Sequence, residues 1–404
     1  MVFASFRTNK LRTFLTLLGV IIGVTTVITV VSIIKGMNRY VLSTITEAGS
    51  NVFRIDRFGV ITSHEAWEAA MRRKDLTLQD LEAVKKGCDL CTHVAGVSVV
   101  PSFMSRIQID ITAGREKIED PNIHGVTANY AAVTHRELSA GRHITEWEEL
   151  HSVFSVVLGY EIAKNLFPQL DPIGKTIQIN NRKFQVVGVL KKYGSFLGEN
   201  RDTVAEIPIT TFQKVFGKKE TVFILVKVDE STKMTEAQDQ ARVVLRSKYH
   251  RRYNDDDGFS IMTTDTLVSL WQTFTAGAFA AMIGISSIAL VVGGIVIMNI
   301  MLVSVVERTS EIGLRKALGA RGKDIKRQFL LESVILAAVG GMIGILLGAA
   351  AGKIISALSP LPSSLDPGPV IAGLLLASSV GLVSGMWPAI KASKLDPIVA
   401  LRAE

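Results

Sequence analysis

Few side chains in this sequence stand at spacings that could do chemistry, and each set is a fragment of a motif. Cys88 and Cys91 form a single CxxC. One such pair is half of a four-ligand zinc site. In an oxidising compartment it would close as a small disulfide. Two reduced thiols are the plain alternative, and a redox or metal role is a third. Gly174-Lys175-Thr176 ends like a phosphate-cradling GxxxxGK[ST] loop, but Gln169 replaces its first glycine. Gly322-Lys323 is followed by Asp324 and fails the same pattern. His64-Glu65 opens HExxH, yet Glu68 stands where the second histidine belongs, and no GxSxG occurs. Asp255-Asp256-Asp257 offers a cation three carboxylates, although an exposed acidic loop before a strand is the plainer reading. Glu146, Glu148 and Glu149 likewise read as a solvated helix start. These patterns predict no catalytic residue, no metal site and no cofactor held by this chain.

The elements that must position these groups are dominated by apolar runs. Of 404 residues, 48% are hydrophobic, and the long uncharged runs lie at the two ends. Phe14–Ile34 carries no charge and is long enough to span a bilayer core of about 30 Å. A secretory leader would be shorter and would end in a small-residue cleavage site, where this run ends in Ile33-Ile34-Lys35-Gly36. The stretch Thr266–Val306 is also uncharged and too long for one span. Its span is placed at roughly Ala276–Leu302, with the preceding part a helix outside the membrane. The remaining spans are roughly Ser333–Gly352 and Val370–Ile390. Pro360, Pro362, Pro367 and Pro369 make the connection between them a turn.

A formal charge of +8 in a soluble chain would suggest nucleic-acid binding. Here the basic residues flank spans and set orientation instead. Arg7, Lys10 and Arg12 precede the first span. Arg308, Arg315, Lys316, Arg321, Lys323, Lys326 and Arg327 lie between the second and third, and Lys391, Lys394 and Arg402 follow the fourth. The opposite short loop carries only Lys353. Both termini and the 307–328 loop are therefore expected in the cytoplasm, with the large middle segment outside.

Within the spans, Gly340, Gly344, Gly348 and Gly352 recur every four residues, as do Gly19 and Gly23. Such stripes let helix backbones approach in lipid, where apolar surface alone gives no reason to associate. The stripe serves either packing within one four-helix unit or a contact between subunits. Asn299 lies deep enough to require a hydrogen-bond partner. Glu332 is close enough to Arg327 to reach the interface, and no span carries a charge at its middle, which disfavours an ion-coupled carrier.

The loop Glu307-Arg308-Thr309-Ser310-Glu311-Ile312-Gly313-Leu314-Arg315-Lys316-Ala317-Leu318-Gly319 is dense in signals. Thr309 or Ser310 can cap a short helix, Glu311 favours its first turn, and Gly319 can end it. Arg315 and Lys316 read as its exposed pair, and a second helix is expected from Gly322 through Ile325, Phe329 and Leu330. The loop suits docking to a cytoplasmic partner, or else only fixes topology.

This loop resembles that of the FtsX-like permeases, especially the MacB-type branch of ABC transporters. Asn9-Lys10-Leu11-Arg12-Thr13-Phe14-Leu15 resembles the family's approach to its first helix. Asp171-Pro172-Ile173-Gly174-Lys175-Thr176 and Phe184-Gln185-Val186-Val187-Gly188-Val189-Leu190 resemble its extracytoplasmic domain, and Pro388-Ala389-Ile390-Lys391-Ala392-Ser393-Lys394-Leu395-Asp396-Pro397 its tail. The motifs follow the family's order along essentially the whole chain. Few residues precede Asn9, where the family often has a longer amphipathic lead-in, which puts the N-terminal start in doubt.

The resemblance implies an integral membrane α-helical fold with four spans arranged one plus three. Residues 1–36 would form the cytoplasmic N-terminus and first span, 37–270 the extracytoplasmic domain, and 271–404 the permease domain. The middle domain would be mixed α/β at both ends with a β-rich insertion at about 100–215. The resemblance further implies a permease subunit of a bacterial inner membrane, a homodimer or pseudo-dimer. A separate ATPase, which would bind ATP and magnesium, would dock on Glu307, Arg308, Glu311, Ile312, Arg315, Lys316 and Leu318. A periplasmic adaptor and outer-membrane channel would accompany an efflux role. Regulation of an extracytoplasmic partner such as a cell-wall hydrolase is the alternative.

Read for pattern, the middle segment predicts strands at Asn51–Arg57, Val97–Val100, Ile107–Ile111, Val153–Leu158, Thr176–Ile179, Phe184–Leu190, Val222–Val228 and Phe259–Met262. Helices are predicted from Thr77 to Lys86 and from Thr235 to Arg246, and Asn180-Asn181-Arg182 predicts a hairpin turn.

Overall fold

The apolar runs become helices longer than a bilayer requires. The computed structural model describes residues 10–47, 51–61, 63–100, 109–196, 199–217, 221–359, 362–364 and 366–402. Arg7, Asn9, Ile107, Pro360 and Glu404 lie outside them. Helix α1 is Lys10–Glu47 and so continues well past Ile34. The chain divides into two units, Met1–Leu42 with Trp271–Glu404, and Ser43–Leu270.

The second unit opens with β1 (Val52–Asp56), α2 (His64–Arg72), α3 (Leu78–Gly87) and β2 (His93–Val99). Then come β3 (Asp110–Ala113), β4 (Glu116–Glu119), β5 (Asn122–Val126), α4 (Tyr130–Thr134), β6 (Leu138–Gly141), α5 (Glu146–His151), β7 (Ser155–Leu158) and α6 (Tyr160–Leu166). They are followed by β8 (Thr176–Ile179), β9 (Arg182–Leu190), β10 (Ser195–Phe196), β11 (Glu199–Asn200), β12 (Val204–Pro208) and α7 (Ile209–Phe216). The unit closes with β13 (Phe223–Lys227), α8 (Met234–Lys248) and β14 (Ser260–Thr263).

One twelve-stranded mixed sheet runs β14-β1-β13-β2-β5-β12-β7-β9-β8-β3-β4, with β6 on β9. Strands from the two ends of the segment lie side by side, Phe53 opposite both Thr263 and Val226. Helices α3 and α8 cover this part through Leu81, Val84, Ala241 and Leu245 against Phe53, Ile224 and Val226. The inserted strands build a second core around Ile111, Leu158, Ile162, Phe184 and Phe212. The β8–β9 hairpin turns on Asn180 and Asn181, both at positive φ, as a two-residue turn demands. Thr77 caps α3, and Asp80 accepts from its backbone N–H at 2.7 Å and forms an ion pair with Lys248 of α8 at 2.7 Å. Burial resists ionisation of Asp80, but the Lys248 and Thr77 bonds outweigh it and lower its pKa.

Sequence patterning missed helices α2, α4, α6 and α7 and strands β4, β5, β6 and β12. Val204–Pro208 is buried at every position, so it lacks the alternation that marks a half-exposed strand. Helix α5 exists and Glu146 is exposed as expected, but the other two acids are not simply solvated. Glu148 is only 4% exposed and pairs with Arg142 at 2.7 Å, while Glu149 accepts from the Ala128 N–H at 2.8 Å. Asp256 and Asp257 pair with Arg73, Arg242 and Arg246, so the acidic run is used as ion pairs.

The first unit contains most of α1 and of α9 (Thr264–Glu307), together with α10 (Thr309–Ala317), α11 (Gly322–Leu358), α12 (Pro367–Ser393) and α13 (Pro397–Arg402). Helices α1, α9, α11 and α12 are long and apolar enough to cross a membrane. Pro367 and Pro369 belong to the first turn of α12 rather than to a loop, positions where a missing N–H costs nothing.

The glycine stripes pack within the chain. Gly340 meets Leu17 and Val20 of α1, Gly344 meets Ile21 and Val24, and Gly348 meets Thr25 and Ile28. Thr25 and Thr29 donate to the carbonyls of Gly344 and Gly348 at 3.1 and 3.3 Å. Gly352 lies beside Ser32 and Ser363. Gly19 faces Gly293 of α9 so closely that a β-carbon would sit 2.6 Å from its Cα, and Gly23 abuts Leu290. A further stripe went unread in the sequence although its spacing is the same. Gly373, Ala377, Gly381 and Gly385 of α12 are all buried, the last three against Ser333, Ala337 and Gly341 of α11.

Candidate docking site

The short helix α10 has a defined boundary at each end. Arg308 occupies its N-cap position. Thr309 does not cap it, because its hydroxyl donates back to Val305 and Val306 at 3.0 and 2.8 Å. Gly319 ends the helix at φ +99°, with Gly319 N–H donating to Lys316 O and Ala320 N–H to Arg315 O, both at 3.0 Å. These two bonds form the paired closure that a left-handed glycine permits. Helix α11 then begins at Gly322, as the sequence predicts.

The inward face of α10 is Ile312, 1% exposed, in a core with Val305, Ile325, Phe329, Ala389 and Ala392. Ile312 therefore anchors the helix and is not part of a contact surface. Arg315 and Lys316 are not the exposed pair that the sequence suggests. Arg315 donates to Gln328 of α11 at 2.9 Å and to Glu311 at 2.5 Å. Lys316 Nζ donates at 2.7 Å to both Ser393 O and Leu395 O, where α12 leaves unpaired carbonyls at its C-terminus. Arg308 approaches Glu332 of α11 at 3.3 Å, so Glu332 is half of an ion pair. Three cations thus fasten α10 to α11 and to the end of α12.

What remains outward is a stripe at helical spacing. Glu307, Glu311, Leu314 and Leu318 are all exposed, Leu314 by 54% and Leu318 by 81%. In the sequence Leu314 is masked by the charges of Glu311, Arg315 and Lys316 around it. The signal was legible as leucines four apart on the face opposite Ile312. Ile398 and Val399 on α13, which packs beside α10, are exposed by 68% and 67%.

In the other unit, the Cys88 and Cys91 sulfurs are joined, with Cα atoms 5.4 Å apart, just beyond the C-terminus of α3. Both are buried, at 4% and 8% exposure. A second polar cluster, unread in the sequence, joins His124 of β5, Glu206 of β12 and Arg136. His124 and Glu206 are register partners, and Arg136 Nη1 lies 2.9 Å from Glu206 Oε1 without hydrogen-bond alignment. The Arg136 guanidinium also lies over the rings of Tyr130 and Tyr193. Burial first, then the Arg136 charge, pushes His124 down to about 3, and burial raises Glu206 against the pull of Arg136. No group of three metal-ligating side chains occurs among the described residues.

The MacB-like periplasmic core domain matches residues 13–244, and the FtsX-like permease C-terminal domain matches residues 283–397. The macrolide export ATP-binding/permease protein MacB of Bdellovibrio bacteriovorus is 32% identical over the whole of this chain. The chain spans 61% of that relative's length. The ABC transporter permease YknZ of Bacillus subtilis is 31% identical, with 100% of this chain and 98% of that one aligned. The periplasmic region of MacB from Actinobacillus actinomycetemcomitans superposes with a TM-score of 0.46 at 22% identity, covering 57% of this chain and 97% of that one. With two domain matches in order on a four-helix membrane chain, the protein belongs to the MacB-type, FtsX-like permease family of ABC transporters.

Proposed function

We propose that this chain is the membrane subunit of an ABC transporter whose α10 receives the stroke of a separate ATPase. The middle domain would lie outside the membrane and both termini in the cytoplasm, as the basic residues favour. Helices α1 and α9 would carry the stroke to the outer domain, for efflux or release of a substrate from the outer face. ATP and magnesium would be bound by the partner. A periplasmic adaptor and outer-membrane channel belong to the efflux form of this reading.

The observation that carries the proposal is the division of labour on α10. Its apolar Leu314 and Leu318 face out, while Ile312 and three cations face in. Exposed leucines on a helix that already has a buried apolar anchor mark a contact surface. The inward bonds make that surface stiff, so force on it passes to α11 and α12. A photoreactive residue at Leu318, in membranes of the native host, should capture a chain carrying a GxxxxGK[ST] loop. Capture of lipid alone would overturn the docking. Leu318→Asp should lower ATPase stimulation at least tenfold without changing the thermal stability of the permease.

A further inference from the structure

An open groove of about 450 Å³ runs between α9 and α12. Large apolar side chains wall it, among them Val291, Ile295 and Met298 of α9 and Leu376 and Val383 of α12. The gap has a local cause. Gly294 meets α12 with no side chain, and a β-carbon there would stand 2.6 Å from Ser384 Oγ. Leu290 is drawn inward against Gly23 and is only 5% exposed. Ser287 and Ser379 also line the groove, and their hydroxyls are spent on the carbonyls of Ile283 and Leu376 at 2.7 Å. The groove therefore presents hydrocarbon. From Ser287 to Met298 it is about 16 Å long, about half of a 30 Å bilayer core. Its Ser384 end has a fixed depth. Gly385 meets Ser333 of α11, next to Glu332, so this end is level with the charged border on the α10 side. One leaflet, the one beside α10, thus contains most of the groove.

The mouth of the groove carries charge. Trp387 and Lys391 follow Ser384 by three and seven residues, on the same face of α12. Trp387 is 55% exposed, and Lys391 Nζ lies 5.8 Å from its ring centre. Lys391 and Lys394 are exposed, and no carboxylate among the described residues pairs with either. Tryptophan marks the headgroup level, and lysines there attract anionic lipid. We propose that one acyl chain of an anionic glycerophospholipid lies in this groove, with its phosphate held by Lys391 and Lys394 and its glycerol beside Trp387. An empty groove would forfeit dispersion contacts along its walls. A second copy seated here by two-fold symmetry would set these lysines against their own kind, whereas a phosphate complements them. The headgroup would then sit where Lys316 of α10 holds the Ser393 and Leu395 carbonyls. The inference rests on the membrane reading of the four helices and on no ATPase docking, so either can fail alone.

The test uses the full chain in phosphatidylcholine vesicles that contain a trace of phosphatidylglycerol with a diazirine in its tail. After illumination, mass spectrometry should find Val291, Met298 and Val383 labelled about tenfold more than two lipid-facing controls, the worth of two lysines at an anionic headgroup. The controls are Leu346 of α11 and Leu375 of α12, which are 69% and 66% exposed. Lys391→Gln should lower the groove labelling about fivefold. Ser379→Trp, which fills the groove with both lysines intact, should abolish labelling at Val291 without lowering the melting midpoint in detergent. Even labelling of groove and controls would overturn the proposal. So would a groove signal equal for phosphatidylcholine and phosphatidylglycerol carrying the same diazirine tail, or chain-to-chain cross-links in place of lipid adducts. The comparison of groove with controls uses the unaltered chain and so does not depend on a variant folding.

Discussion

On α10, neighbouring residues have opposite uses. Leu314 and Leu318 offer contact, whereas Arg315 holds the helix in place through Gln328 and Glu311. Charge reversal at Arg315 should therefore cost the permease about 1–3 kcal/mol of its own stability. Thermal unfolding in detergent would show this as a lowered midpoint that Leu318→Asp does not share. In the outer unit, His124 has a folded pKa of about 3 against an ordinary 6.5, so the fold favours its neutral form. The sign follows: that stability is present above about pH 6.5 and is lost as pH falls toward 3. Burial opposes ionisation of Glu148, but bonds from Arg142 and Thr145 overcome it and hold the carboxyl at about 2, which adds a loss in the same direction at lower pH. Denaturant melts of the outer unit between pH 7 and 4 should show this decline, and His124→Gln should flatten its upper part. The Cys88–Cys91 bond closes a very short loop, so its reduction should cost only roughly 2 kcal/mol.

Helix packing is decided by where small residues stand on two faces of one helix. Helix α11 presents Gly340, Gly344 and Gly348 to α1 and Ala337 and Gly341 to α12, so it is held on both sides. A β-carbon on Gly344 would stand 2.9 Å from the Ile21 carbonyl oxygen, which is backbone and cannot turn aside. Gly344→Leu should destabilise the bundle by 1–3 kcal/mol or more, through overpacking. Gly284 has nothing within 4 Å of its would-be β-carbon, so Gly284→Leu is the matched control and should leave the melting midpoint unchanged or raised. The outer ends are also tied. Asp366 at the start of α12 pairs with Lys35 and Arg39 of α1 at 3.3 and 3.5 Å, and Trp271 of α9 donates to Asn38 at 2.6 Å.

At the scale of the whole molecule, each unit has its own core. In the outer unit the first and last strands, β1 and β14, are paired, so its two chain ends leave from neighbouring strands. That arrangement predicts that residues 51–263, expressed without the spans, fold as a soluble monomer with one cooperative unfolding transition. Circular dichroism and sedimentation would check it, and a broad non-cooperative melt would contradict it. The same pairing explains how a segment of this length can be inserted between two membrane helices.

Much of this was legible in the sequence because the bilayer is a stringent solvent. Uncharged runs of span length and glycines four apart each have one dominant physical cause, and they led to four helices and a packing face. Short strands with clear alternation and the Asn180-Asn181 turn were legible for the same reason. Which groups meet was settled by tertiary structure. Arg315 and Lys316 look exposed in sequence because charge favours water, but helix ends and carbonyls brought by α11 and α12 offered them better partners. Ile312 and Leu318 are equally apolar in the sequence, and only the packing of α10 buries one and exposes the other. Glu206 is far along the chain from His124 and Arg136, and a parallel strand pairing that no local pattern encodes sets it beside His124. Asn299 was flagged by its chemistry as needing a partner, and only the fold shows that its side chain is exposed on α9, with no hydrogen bond among the described residues.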